Sequence, residues 1–195
     1  MPLKNRQIIE AAEQLFLTHR YHEVTLQQVA DLAGVGKGTI YRYFRNKEDL
    51  YYKILLTALD ELAESLEDLD GGADGTGLNE LVSRILEFYT RRRSLLALLQ
   101  SEQLRHNTPP AEVKGLWEKK HERMIELVAS VMECQMEAGS YRTDLRPEAA
   151  ALLLLGMVRS ALFHRDEMPD KEELGSTLVS LFESGISTAS IRQSV

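Results

Sequence analysis

Residues 25–50 read Thr-Leu-Gln-Gln-Val-Ala-Asp-Leu-Ala-Gly-Val-Gly-Lys-Gly-Thr-Ile-Tyr-Arg-Tyr-Phe-Arg-Asn-Lys-Glu-Asp-Leu. The side chains that could do chemistry here are those of polyanion contact. Lys37, Arg42 and Lys47 supply cations, Thr25 and Thr39 hydroxyls, Tyr41 and Tyr43 phenols, and Gly38 a bare backbone. Ile40 and Phe44 stand at i and i+4, so one face of a helix over Lys37 to about Phe44 must be buried. The opposite face then presents Lys37, Thr39, Tyr41, Arg42 and Tyr43. A short helix with a wet, cationic and aromatic face suits a DNA major groove. Arg42 fits a guanine contact, because its fork matches O6 and N7 together. Thr25 stands at the head of a preceding helix, where a hydroxyl and unpaired amides favour a phosphate.

Rival chemistries fail on spacing. Gly34-Val35-Gly36-Lys37-Gly38-Thr39 resembles a phosphate loop only superficially. That loop requires Gly-x4-Gly-Lys-Ser/Thr, whereas Gly38 follows Lys37 and Asp31 holds the first position. His19 and His22 straddle a helix end with no third ligand near in sequence, so no metal site is expected. Cys134, the single cysteine, lies on an amphipathic stretch and reads as a buried thiol. No nucleophile motif is present. An enzyme is not expected, and neither is a cofactor.

The elements that must position these residues read as helices. Prolines occur only at 2, 109, 110, 147 and 169, and apolar residues recur at helical spacing. Ile8, Ala12, Leu15 and Phe16 mark a helix from about Lys4 to Thr18. Thr25 caps a second, whose stripe is Val29, Ala30 and Ala33. Gly34-Val35-Gly36 is a turn, and the short helix from Lys37 follows. Asn46 caps a long helix to about Leu69, with Glu48 and Asp49 in its first turn. At 1.5 Å per residue that helix would span roughly 36 Å. A glycine-rich loop over 71–77 follows, then helices at roughly 78–91, 94–106, 111–138, 147–164 and 171–188. The expected fold is all-α, with about nine helices.

Charge divides the chain. Residues 1–53 carry eight basic and six acidic side chains, whereas the other 142 residues carry 15 basic and 24 acidic, within a total of −7. A mildly basic end on an acidic body suits a polyanionic partner at that end. The longest apolar run, Ala149 to Val158, is ended by Arg159 and falls well short of the ~20 residues a membrane span needs. The beginning, Met-Pro-Leu-Lys-Asn-Arg, lacks the apolar core of a signal peptide. With one cysteine, a cytoplasmic protein is expected and no membrane partner.

Two short helices meeting at a glycine turn form a helix-turn-helix. Over about residues 3–53 the sequence resembles the DNA-binding domain of TetR-type transcriptional regulators. The resemblance rests on Phe16, Thr25, Val29, Ala30, Ala33-Gly34-Val35, Gly38-Thr39-Ile40-Tyr41, Phe44, Lys47-Glu48 and Leu50. It implies DNA contacts from Thr25, Lys37, Gly38, Thr39, Tyr41, Arg42, Tyr43 and Lys47, with Tyr41, Tyr43 and Lys47 on phosphates. Two positions depart from the family pattern. Arg20 stands where the family commonly has Gly in a left-handed turn, so either the first helix ends differently or Arg20 is strained by roughly 1 kcal/mol. Gly36 stands where the family often has a capping Ser, which removes one side chain that could touch DNA.

The resemblance divides the chain into a DNA-binding domain, 1–53, and a ligand-binding and dimerisation domain, 54–195. Ala149–Val158 is apolar all round, and Leu174, Leu178, Leu181, Phe182 and Gly185 form a stripe. Gly156 and Gly185 would permit close helix approach. A homodimer through these last two helices is expected, since a two-fold reader suits a palindromic operator. Phe88, Tyr89, Trp117, His121 and Met124 are candidate lining residues for a small, mostly apolar effector, although each serves equally well as plain core. Arg91-Arg92-Arg93 reads as a solvated helix end. The expected activity is repression relieved when the effector tilts the long helix. The alternative is the same fold with no small-molecule effector, its C-terminal domain binding a protein partner.

Overall fold

Side-chain caps at Thr25, Asn46 and Asp170 open three helices of the computed structural model, which describes residues 3–69, 76–100, 109–164 and 168–187. Nine α-helices lie among them: α1 (Leu3–Thr18), α2 (Leu26–Leu32), α3 (Lys37–Tyr43), α4 (Lys47–Glu64), α5 (Thr76–Arg91), α6 (Arg93–Gln100), α7 (Ala111–Glu137), α8 (Pro147–Phe163) and α9 (Lys171–Ile186), with a 3-10 turn at Tyr21–Glu23 after α1. An isolated antiparallel bridge, Tyr141 with Ser187, is the one β feature of the described residues. Residues 71–75 of the expected glycine loop and 101–106 of the expected sixth helix lie outside the described residues.

By packing, the chain forms two units. One comprises residues 1–59 and 92–118, the other 60–91 and 119–195. In the first, α1 packs on α2 and α6, and α2 on α3. Its core is Ile8, Ala12, Phe16, Val29, Ala30, Ile40, Phe44 and Leu50, all buried. The division expected after residue 53 closes the segment that carries the resemblance. Packing adds 54–59 and 92–118 to that segment: α6 packs on α1, and Arg92, just ahead of α6, pairs with Glu13. The arginine triplet is therefore not uniformly a solvated helix end: Arg92 is mostly buried, whereas Arg91 pairs with Glu87 at the surface.

In the second unit α5 packs on α8 and α9, and α8 on α9. Leu78, Leu81, Val82, Ile85 and Leu86 bury one side of α5, and Leu154, Val158, Leu174, Leu178 and Phe182 are buried on α8 and α9. Ion pairs of Lys120 with Asp60 and of Arg123 with Glu67 hold α7 to the end of α4 and the turn after it. Cys134 is half-buried.

One expectation is corrected, and one open alternative is decided. α4 ends at Glu64, five residues early, so its 18 residues rise about 27 Å, not 36 Å. After it the chain tightens into i→i−3 bonding, with Leu66 N donating to Ala63 O at 2.9 Å and Leu69 N to Leu66 O at 3.2 Å. The Ser65 hydroxyl donates to Leu62 O at 2.6 Å, and Arg84 donates to Ser65 O at 2.8 Å. These contacts occupy carbonyls that a continuing helix would use. Arg20, in turn, is extended at φ −68°, ψ 152°. α1 ends without a left-handed residue, and the Arg20 amide donates to Glu23 at 2.8 Å as the 3-10 turn begins. No backbone strain arises there.

Candidate nucleic-acid interface

The turn between α2 and α3 needs a left-handed residue, and Gly34 supplies it at φ +65°. Its amide donates to Asp31 O at 3.2 Å and that of Val35 to Ala30 O at 3.0 Å. This paired bonding closes α2 and reverses the chain. At the other end of α2, the Thr25 hydroxyl accepts from Gln28 N at 3.2 Å while Thr25 N donates to the Gln28 side chain at 2.8 Å. That reciprocal box fixes the head of the helix.

Gly36 opens α3 in an extended conformation, φ −68°, ψ 151°, with no side-chain cap. Its carbonyl receives the Thr39 amide at 2.8 Å. Ile40 and Phe44 are buried against the rest of the first unit. Lys37, Gly38, Tyr41 and Arg42 are exposed, and Thr39 and Tyr43 are half-buried. The expected reading face is therefore assembled on one side of α3. No atom lies within 4 Å of where a Gly38 side chain would begin, so its backbone is open to an approaching surface. The Arg42 guanidinium lies 5.3 Å from the Tyr43 ring centroid.

Thr25 and Lys47 depart from the simplest expectation. Thr25 is exposed, but its hydroxyl is engaged on both sides, also donating to the Gln28 carbonyl at 2.8 Å. Lys47 turns inward. Its Nζ donates to Tyr21 O at 2.7 Å and lies 4.3 Å from the Tyr21 ring centroid. Loss of water around this ammonium holds its pKa below the ordinary lysine value.

Two supporting residues escaped the sequence reading. Lys53 donates to Tyr43 O at 2.8 Å and pairs with Asp49 at 3.2 Å, closing the C-terminal end of α3 with a cation. Asp49 also accepts from Arg45 N at 2.9 Å, while Asn46 accepts from Asp49 N at 2.7 Å. The spacing of Arg45, Asp49 and Lys53, each four apart, was the available signal.

The candidate effector residues are not gathered in either cavity described. The larger, an open groove of about 720 Å³ in the second unit, is lined by polar residues such as Asn79, Ser83, Arg84 and Ser176 and by none of the five. Phe88 and Tyr89 form an edge-on pair at 5.5 Å. Burial raises the Tyr89 phenol pKa, although the Arg159 charge opposes it. Met124 is buried, Trp117 is half-buried within the first unit, and His121 is exposed rather than lining a cavity. Among the described residues no cluster of His, Cys, Asp and Glu could hold a metal ion, and no helix is long and apolar enough to cross a membrane.

A helix-turn-helix that buries Ile40 and Phe44 and turns Lys37, Tyr41 and Arg42 outward defines a DNA-binding transcriptional regulator. Residues 8–54 match the pattern of the bacterial regulatory proteins of the tetR family. Over that segment the chain is similar to that family. It is 28 % identical over 191 residues to the HTH-type transcriptional regulator YhgD of Bacillus subtilis, covering 94 % of this chain and 97 % of that one. It is 29 % identical over 149 residues to the HTH-type transcriptional repressor KstR2 of Rhodococcus jostii, covering 75 % and 72 %. Its fold matches that of the Bacillus subtilis transcriptional regulator FadR in complex with stearoyl-CoA, with TM-score 0.77 and 22 % identity, covering 93 % of this chain and 98 % of that one. The family and these relatives are regulators, not enzymes.

Proposed function

We propose that this chain is a cytoplasmic repressor that binds a palindromic operator as a homodimer and is released by an effector bearing a long acyl chain, of the acyl-CoA class. The observation that carries the DNA-binding part is the outward face of α3, with Lys37, Thr39, Tyr41, Arg42 and Tyr43 backed by buried Ile40 and Phe44. The dimer is supported by Leu152 and Leu153 on α8 and Leu181 on α9, which are 49 %, 59 % and 62 % exposed. Leu152 and Leu153 adjoin in sequence, and exposed apolar side chains that adjoin favour a protein surface. Gly156 and Gly185 have nothing within 4 Å of a would-be side chain, which leaves room for a second copy to approach. Repression follows the KstR2 relative, a transcriptional repressor, and the acyl class follows the stearoyl-CoA held by the FadR fold neighbour.

The mechanism uses continuity of chain. α4 supplies residues up to 59 to the first unit and the rest to the second, and α7 likewise crosses between 118 and 119. An effector that binds better to one tilt of α4 would shift the separation of two recognition helices in a dimer. Half-sites about 34–36 Å apart could then not be engaged together.

A second reading has a specific observation in its favour. The larger described groove is open, of mixed polar and apolar lining, and excludes all five candidate lining residues, which suits a body that binds a protein in place of a small apolar molecule. One experiment separates the readings. The operator is selected from random duplexes, and its complex is titrated with stearoyl-CoA and, separately, with coenzyme A. Release by stearoyl-CoA alone supports the acyl effector. Retention of the complex with both ligands favours the protein partner.

A further inference from the structure

A helix of about two turns has little surface of its own to fix its aim, so its ends must do so. α3 has seven residues and buries Ile40, and Gly36 gives its N-terminal end no side-chain cap. The C-terminal end is held by side chains. Lys53 Nζ donates to Tyr43 O, the last carbonyl of α3, at 2.8 Å and lies 4.9 Å from the Phe44 ring centroid. The same ammonium pairs with Asp49 Oδ2 at 3.2 Å, and that oxygen also accepts from the Arg45 amide at 2.9 Å. One carboxylate oxygen thus ties the linker 44–46, and through Lys53 the end of α3, to the first two turns of α4. The Asp49 side chain is 11 % exposed, against 76 % for Arg45 and 44 % for Lys53. The anion is shielded, whereas the cations beside it keep access to water.

We propose that Asp49 is a positioning residue for sequence discrimination. By holding Lys53 on the Tyr43 carbonyl and the Arg45 amide on α4, it fixes the aim of the α3 reading face, and it touches no DNA itself. The inference rests on the reading of α3 as the DNA-contacting helix. Base readout depends on the direction of each donor, whereas attraction to phosphate depends mainly on charge. A loosened α3 therefore loses discrimination before it loses general affinity. Charge-assisted hydrogen bonds, about twice as strong as neutral ones, suit such a clamp.

The test compares two duplexes of about 30 base pairs, long enough for two half-sites. One is enriched from random sequence by the full parent chain, and the other is a scramble of it. Asp49→Asn keeps the size, removes the anion and leaves every cation in place. Its affinity for the enriched duplex should fall about tenfold, roughly the loss of one base contact, whereas its affinity for the scramble should not fall. A fold that is merely less stable lowers both affinities by one factor, through the active fraction, so the ratio of the two isolates positioning. Lys53→Met removes the donor on the Tyr43 carbonyl and should lower the ratio as well. The double variant Asp49→Asn, Lys53→Met should lower it no further than the more affected single variant, because both act through one chain of contacts. Asp49→Glu, which restores the carboxylate, should recover most of the parent ratio. Should Asp49→Asn not fold, Lys53→Met carries the test. A parent-like ratio in Asp49→Asn or in Lys53→Met overturns the proposal. A parent chain that enriches no duplex overturns the reading of α3, and the proposal with it.

Discussion

The Tyr51 hydroxyl donates to the Leu98 carbonyl at 2.8 Å, joining α4 to α6 across 47 residues in a fully buried setting. The same ring meets Tyr21 and Phe16 edge-on. One phenol thus links α6 to the aromatic cluster behind the DNA-binding turn, within the first unit. Tyr51→Phe keeps the packing and removes this donor. The expected cost is about 1 kcal/mol, the net worth of one buried hydrogen bond. A lowered urea midpoint with an unchanged slope is the predicted result; an unchanged midpoint would mean that the hydroxyl contributes nothing to stability.

Arg42 is the expected base reader. Its exposed guanidinium sits beside Tyr43 at the end of α3. Arg42→Ala should cost about 1–3 kcal/mol at one base position, if a bidentate guanine contact is lost. Competition between the selected operator and single-base variants checks this. A loss that is equal for all sequences would assign Arg42 to a phosphate.

The exposed leucines of α8 and α9 test the dimer. Leu153→Arg or Leu181→Arg places a charge on a surface that an interface would desolvate. Sedimentation should show monomers, with helix content intact by circular dichroism, and operator affinity should fall at least 100-fold as two-site engagement is lost. A dimer that survives both substitutions moves the interface elsewhere.

Burial, with the Glu48 charge adding to it, pushes the Tyr21 phenol up to about 12. An unfolded phenol titrates near ~10. The native state therefore holds this proton more tightly. Its contribution to stability is present in full below pH ~10 and is lost as pH rises from there toward 12. Absorbance at 295 nm should show a late-ionising component, shared with the buried Tyr89 and Tyr141 phenols, that Tyr21→Phe diminishes by one phenol. A titration in which the variant and the parent coincide would refute the shift.

Much of the first unit was legible because its signals are local. Thr25 and Gln28 lie three apart, Gly34 supplies the left-handed turn, and Asn46 caps α4. Ile40 and Phe44 fixed which side of α3 is buried, and hence which side reads. Gly139, at φ +76°, ends α7 where a glycine break was expected. The end of α4 was not legible. Its sequence continues as acceptable helix to Leu69, and only Arg84, from a different helix, takes the Ser65 carbonyl.

What the sequence determined alone was helix content, the helix-turn-helix and the composition of its outward face. Capping, periodicity and glycine dihedrals act over a few residues, and adjacent residues specify them. What only the tertiary structure decided was direction and pairing. Lys47 reads as a surface cation until a backbone carbonyl 26 residues earlier is brought to it. Arg92 reads as one of three solvated arginines until Glu13 arrives from α1. His121 shares a helix face with buried Met124 yet remains in solvent. A side chain's type names what it can bond. Its partner and its access to water are properties of the packed chain, since both depend on surfaces that meet only when distant segments fold together.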